Sequence, residues 1–179
     1  SLTMISLAQK RDYQWYFDYK KGMHFNSGPP VQIATGQQNA IEASSAIADS
    51  VTGALLFYMD NDTMYDNTNV KFPNGQGMST AATPTQILTL PMPGNLNKYY
   101  IIVSTDPQGW GPPSGVSYSV VDMTLNGGKG DVVAAQKNIL VVNPGSPNLM
   151  SEGLTAIKHA NGYDWWVLSH GLMPNQNGK

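Results

Sequence analysis

An acidic run from residue 60 to 66, with the sequence DNDTMYD, offers the first candidate chemistry. Oxygen-bearing side chains recur through it at alternate positions, and Ca²⁺ sites collect oxygen ligands from several such side chains and from backbone carbonyls. Asp60, Asp62 and Asp66 are therefore candidate Ca²⁺ ligands. The glycine and the distal glutamate of an EF-hand loop are missing, however, and the alternative is a polar hairpin turn after a buried strand.

A second cluster near the C-terminal end combines Lys158, His159, Asp164 and His170. On an extended strand His159 shares a side with Ile157, and Lys158 faces the other way. A metal site would need a third ligand at suitable spacing, which the sequence does not offer. Lys158 and His159 are candidate ligand-binding residues, and the alternative is that His159 caps the following turn.

Trp110 is the third candidate, because it stands in the rigid Gly/Pro-rich loop PQGWGPP. An exposed tryptophan in such a loop can stack on a sugar or on a partner protein. Alternatively, its ring folds back onto the sheet and fills a gap.

Sequence motifs of the common enzyme classes are absent. There is no G-x-S-x-G nucleophile turn, no P-loop and no dinucleotide fingerprint. Glycosidases need two facing carboxylates, but glutamate occurs only at Glu42 and Glu152, and no acidic pair stands out. The sequence predicts no catalytic residue and no cofactor other than the candidate Ca²⁺, and it leaves enzymatic activity open.

The composition restricts the class of protein that positions these residues. Of 179 residues only 12% are charged, the net charge is −2, 41% are hydrophobic, and cysteine is absent. This excludes an electrostatic nucleic-acid binder, a disordered tail and a disulfide framework. With 18 glycines and 12 prolines the chain is rich in turns, which predicts an all-β protein.

Strand-like runs alternate with turn signals such as Asn126-Gly127-Gly128 and Asn161-Gly162. The apolar runs 55–58, 99–103 and 165–168 are continuous, which predicts burial on both faces. Apolar and polar residues alternate over 117–125, which predicts a half-buried edge strand. Residues 37–48 are a weak helix candidate, and the repeat described below indicates that their second half is a strand. The predicted strands are residues 14–19, 54–59, 86–90, 98–104, 117–125, 131–134, 138–142, 154–158 and 164–169.

One unit repeats three times: a short strand containing isoleucine, a turn, and an aromatic-rich apolar strand. The first strands carry Ile47, Ile87 and Ile157, and the second strands begin at residues 55, 99 and 165. A unit of about 40–50 residues is the period of a propeller blade. The repeat predicts antiparallel β-propeller-like blades, about two and a half of them, belonging to a larger propeller.

The first eight residues, SLTMISLA, are apolar and small and then give way to polar residues. This pattern predicts a signal-peptide remnant at 1–8 and a partial β-propeller domain at 9–179, with an extracellular or outer cell-surface location. The alternative is an ordinary buried first strand. No apolar run reaches the ~18 residues that a membrane span needs.

Several stretches resemble a known family. They are WYF at 15–17, GMHFNSGPPV at 22–31, GALLFY at 53–58, SVVDMTLNGGKGDV at 119–132 and KHANGYDWWV at 158–167. Together they resemble the N-terminal propeller-like region of Bacteroidetes secreted surface proteins, which often end in a gliding-motility-associated or type nine secretion sorting domain. The resemblance implies a propeller at the cell surface, but it does not imply a defined activity.

The sequence thus favours a secreted, cell-surface-associated, non-enzymatic binding or scaffold propeller, in adhesion or gliding-related surface proteins. Its expected partners are a protein or carbohydrate ligand and the remaining blades of the same polypeptide, with no nucleic acid. The alternative is a secreted glycan-active enzyme whose catalytic residues lie partly in other blades.

Overall fold

Antiparallel β-strands form the protein in a computed structural model that describes residues 9–26, 28–40, 42–78, 84–105, 115–142 and 150–171. Within these ranges there is no α-helix, only two short 3₁₀ turns, at Asn126–Gly128 and Ala134–Gln136. The all-β expectation is confirmed. In the same residues no helix is long and apolar enough to cross a membrane.

The first two sheets are three-stranded meanders. A tight turn at Asn61 and Asp62 joins the last two strands of the second meander, with Asn61 in the left-handed region at φ 33°. Asparagine tolerates that conformation better than most residues. The first sheet has the order β1 (Gln14–Phe17), β2 (Lys21–His24), β3 (Val31–Ile33), and the second has β4 (Ser44–Ala48), β5 (Leu55–Asp60), β6 (Thr63–Asp66).

The third sheet has five strands and the fourth is a two-stranded hairpin. In the third, β9 pairs with β8 on one side and with both β10 and β11 on the other. A turn at Asn161-Gly162 closes the hairpin, with Gly162 at φ 77°. The third sheet comprises β7 (Pro84–Pro91), β8 (Lys98–Thr105), β9 (Val116–Asp122), β10 (Asp131–Val132) and β11 (Ile139–Val142), and the hairpin comprises β12 (Met150–Lys158) and β13 (Trp165–Gly171).

The sheets stack in chain order, and an apolar cluster lies between each neighbouring pair. Tyr16 and Tyr58 join the first two sheets. Phe57 and Ile101 belong to the large cluster between the second and third sheets. Ile102 and Leu154 join the third sheet to the hairpin. The second and third sheets are thus covered on both faces, which explains why their central strands are continuous apolar runs.

The first strand of each sheet contacts the first strand of the next: β1 lies against β4, β4 against β7, and β7 against β12. Side chains connect these strands across the layers. The Ser44 hydroxyl donates to the Tyr16 carbonyl at 2.8 Å, and the Leu154 amide donates to Gln86 Oε1 at 2.6 Å. From this row of first strands, the first three sheets each proceed outward as a meander.

Two predictions about burial are wrong. The run 165–168 is not buried on both faces, since Trp166 is 59% and Leu168 54% exposed. The described residues place no layer over that face of the hairpin. The run 117–125 is not an edge strand either, because β9 lies between β8 and the β10/β11 pair. The described residues of the helix candidate at 37–48 form no helix, and its second half forms β4, as the repeat indicated.

Candidate binding site

A groove opens between the third sheet and the hairpin, with a volume of about 540 Å³. That volume falls within the ~300–1,000 Å³ range of small-ligand sites. One side of the groove is the face of β8 and β9 opposite to the large cluster between the second and third sheets. The other side is β13. The lining residues are Leu90, Pro93, Tyr100, Ile102, Val116, Tyr118, Val141, Asp164, Trp165 and Val167.

The sheet register positions two tyrosines on this side. Tyr100 of β8 pairs with Val120 of β9, so Tyr118 is its diagonal neighbour on the same face. The rings of Tyr100 and Tyr118 meet edge to face, with centroids 5.7 Å apart at 80°. Among the described residues neither hydroxyl has a hydrogen-bond partner. The groove therefore combines aromatic surface with two available hydroxyl groups.

Trp165 forms the opposing aromatic wall. Its indole Nε1 donates to the Pro91 carbonyl at 3.2 Å, which ties the hairpin to the end of β7. The Lys158 Nζ lies 4.2 Å from the centroid of the Trp165 ring, a cation–π distance. Lys158 and Trp165 pair across the hairpin, so both side chains lie on its groove side.

Among the described residues that line the groove, Asp164 is the only carboxylate. The turn before β13 holds it in place, because Asn161 Oδ1 accepts from the amides of Tyr163 and Asp164 at 3.0 Å each. The Asn161 amide group in turn donates to Asp164 Oδ2 at 2.6 Å. One carboxylate is therefore held at the rim of a groove whose other lining residues are aliphatic and aromatic.

The structure places the candidate Ca²⁺ ligands in separate local hydrogen-bonded arrangements. Asp60, at the end of β5, accepts from the Asn39 amide at 2.6 Å, and burial raises the pKa of its carboxyl. Asp62 accepts from the Thr63 hydroxyl at 2.9 Å. The described residues contain no group of three His, Asp or Glu side chains that could hold a metal ion. Ca²⁺ binding stays a prediction.

Asp66 accepts three hydrogen bonds on a single oxygen. They come from the amide and the hydroxyl of Thr68, both at 2.7 Å, and from the Val70 amide at 3.0 Å. The Lys129 Nζ lies 3.6 Å from the other carboxylate oxygen. Burial acts to raise the pKa of Asp66, but these hydrogen bonds and the Lys129 charge outweigh it and lower the pKa below its ordinary value.

Lys158 and His159 lie on opposite faces of the hairpin. The His159 ring lies 5.3 Å from that of Trp166 on the outer face. His159 Nδ1 accepts from the Asn161 amide at 3.1 Å, so this residue caps the turn as the alternative interpretation had it. Trp110 and the side chain of His170 lie outside what the structure describes. The described candidates, Asp60, Asp62, Asp66, Lys158 and His159, therefore do not converge on one site.

Sequence reasoning missed Tyr100, Tyr118 and Trp165 as site residues because it assigned them to strands. Tyr100 and Trp165 belong to continuous apolar runs that predict core, and Tyr118 belongs to the alternating run that predicts an edge strand. Only the pairing register and the position of the hairpin show that these rings share a groove.

No family model, curated protein or solved structure matches this chain.

Proposed function

We propose that this chain is part of a secreted, cell-surface-associated propeller that acts as a non-enzymatic binding and scaffold module. The observation that carries the proposal is the row of first strands, β1, β4, β7 and β12, each in contact with the next. In a propeller the blades pack face to face around a central channel, and their innermost strands lie side by side. Antiparallel sheets that begin at such a row and extend outward are what propeller blades require, and this supports the proposal.

The exposed outer face of the hairpin supports the proposal that further blades of the same polypeptide pack against this chain. In the first two copies of the repeat, the isoleucine of the first strand is buried, with Ile47 3% and Ile87 7% exposed. In the third copy Ile157 is 60% exposed. A further blade packed on the outer face of β12 and β13 would bury Ile157, Trp166 and Leu168 as the other layers bury their equivalents.

A binding role rather than catalysis is favoured by the chemistry of the groove. Its wall is aromatic and aliphatic, and a single carboxylate stands at its rim. Acid–base catalysis with a pair of carboxylates needs a second ionisable group at the same place. Adhesion or gliding-related surface proteins are the setting that we propose for such a module.

The test is a binding screen with the 179-residue chain, labelled and applied to a glycan array and to a panel of extracellular proteins. We expect saturable binding without product formation, and the Trp110→Ala variant tests whether that loop takes part. Release of reducing sugar from any glycan would contradict the non-enzymatic proposal. Absence of binding to every member of both panels would contradict the binding role.

A further inference from the structure

The groove between β8, β9 and β13 differs from a sugar site in its balance of polar and apolar groups. Among its lining residues are five aliphatic side chains, namely Leu90, Ile102, Val116, Val141 and Val167. Hydroxyls of a bound sugar that face these aliphatic side chains would lose water without gaining a partner, which weakens binding. A ligand with an apolar body and few donors fits better.

Extended proline-rich peptides meet that condition. A polyproline II helix makes no internal hydrogen bonds, and its prolines have no N–H that must be satisfied on binding. Its free carbonyls need donors, and the Tyr100 and Tyr118 hydroxyls, which have no partner among the described residues, can donate. Grooves lined with aromatic residues are the surfaces on which such peptides dock.

The carboxylate at the rim of the groove favours a peptide that carries a basic residue at one end. Asp164 supplies the only carboxylate among the described lining residues, and its side chain accepts a hydrogen bond from Asn161. The nearest cation described at this site, Lys158, is engaged with the ring of Trp165 at 4.2 Å. The Asp164 carboxylate therefore complements a basic residue at the end of a bound peptide.

We propose that this groove binds a proline-rich peptide in the polyproline II conformation, with prolines against Tyr100, Tyr118 and Trp165 and an arginine or lysine at Asp164. The inference rests on the proposed binding function and names the ligand class at a site on the described chain. It is independent of how many further blades the protein has, because both walls of the groove belong to this chain.

The experiment is calorimetric titration of the 179-residue chain with the capped peptide Pro-Pro-Leu-Pro-Pro-Leu-Arg-Arg. A second peptide carries two glutamates in place of the arginines, and a neutral chitin hexasaccharide is the third ligand. We expect the arginine peptide to bind, the glutamate peptide to bind more weakly, and the hexasaccharide not to bind.

Matched variants locate the binding. Tyr118→Phe should lower the affinity for the arginine peptide by up to about tenfold, because one hydrogen bond is lost. The control Tyr163→Phe should have no effect, since Tyr163 is 71% exposed in the hairpin turn and does not line the groove. Asp164→Asn should weaken binding about two- to fivefold and remove the preference for arginine over glutamate, whereas Asp12→Asn, at an exposed residue outside the groove, should not.

Two results would overturn the inference. One is the absence of peptide binding at millimolar concentration to a chain whose circular dichroism shows it folded. The other is peptide binding that neither Tyr118→Phe nor Asp164→Asn alters. If the hexasaccharide binds instead, and Tyr118→Phe weakens it, the peptide assignment fails while the proposed binding function stands.

Discussion

Asp66 is a buried carboxylate whose ionisation contributes to stability. It is 1% exposed, and one of its oxygens accepts three hydrogen bonds in the turn that follows β6. Its pKa is lowered from the ordinary value of 3.8, so the folded protein holds this proton less tightly than the unfolded chain does. The stabilisation is therefore complete above that value and is lost as pH falls through the folded-state pKa.

We predict that Asp66→Asn lowers the free energy of unfolding at pH 7 by about 1–3 kcal/mol, since an amide oxygen accepts these bonds more weakly than a carboxylate. The gap between wild type and variant should shrink as pH falls below about 4, because the Asp66 carboxylate of the unfolded chain takes up a proton there before that of the folded protein does. Urea denaturation across pH 3 to 7 measures both effects. A gap that stayed constant over this range would contradict the assigned hydrogen bonds, and the exposed Asp12→Asn serves as control.

At the scale of the elements, corresponding positions of the first and third repeats differ in burial. Phe57 pairs with Ile47 and is 0% exposed, whereas Trp166 pairs with Ile157 and is 59% exposed. The two pairs have the same place in their hairpins, but β5 has β6 and two covering sheets. Local sequence makes the strands alike, and the neighbouring layers make their energetics different.

We therefore predict that Phe57→Ala costs about 3–5 kcal/mol of unfolding free energy, as for other large-to-small changes in a core. Trp166→Ala should cost less than about 1 kcal/mol, because its side chain already contacts solvent. Denaturant melts of both variants make the comparison. Equal losses would show that the outer face of the hairpin is covered in solution.

The same contrast shows how far sequence reasoning reaches. The pattern of apolar runs and turns predicted the all-β class and most of the strands, because the period-2 and continuous apolar signals are local. It missed β2, β3 and β6, whose sequences KGMH, VQI and TMYD are too short or too polar to give such a signal. The groove could not be predicted, since it depends on which strands become neighbours in space.

At the scale of the whole molecule, the second and third sheets are joined by polar contacts as well as by their core. The loop after β6 reaches β10, where the Asn74 amide donates to Asp131 Oδ1 at 2.9 Å and its side-chain amide donates to Oδ2 at 2.8 Å. The Lys137 ammonium donates to the Asn74 carbonyl at 3.0 Å, and Asn138 Nδ2 donates to the Gly77 carbonyl at 2.8 Å. These bonds close the outer end of the interface between the two sheets.

A double-mutant cycle of Asn74→Ala and Asp131→Ala tests whether the two residues interact across the sheets. Unfolding followed by two spectroscopic probes tests whether the sheets unfold as one unit. Asp131 is 6% exposed and also accepts from the buried Val132 amide at 2.8 Å, so Asp131→Ala leaves that donor unpaired and should cost about 1–3 kcal/mol. The coupling energy with Asn74→Ala should be about 0.5–3 kcal/mol, as for residues in direct contact. Fluorescence and circular dichroism should report a single coincident transition, because the large core already makes the two sheets interdependent. Additive single-variant losses would place the two residues apart in solution, and separate transitions would show that each sheet is stable without the other.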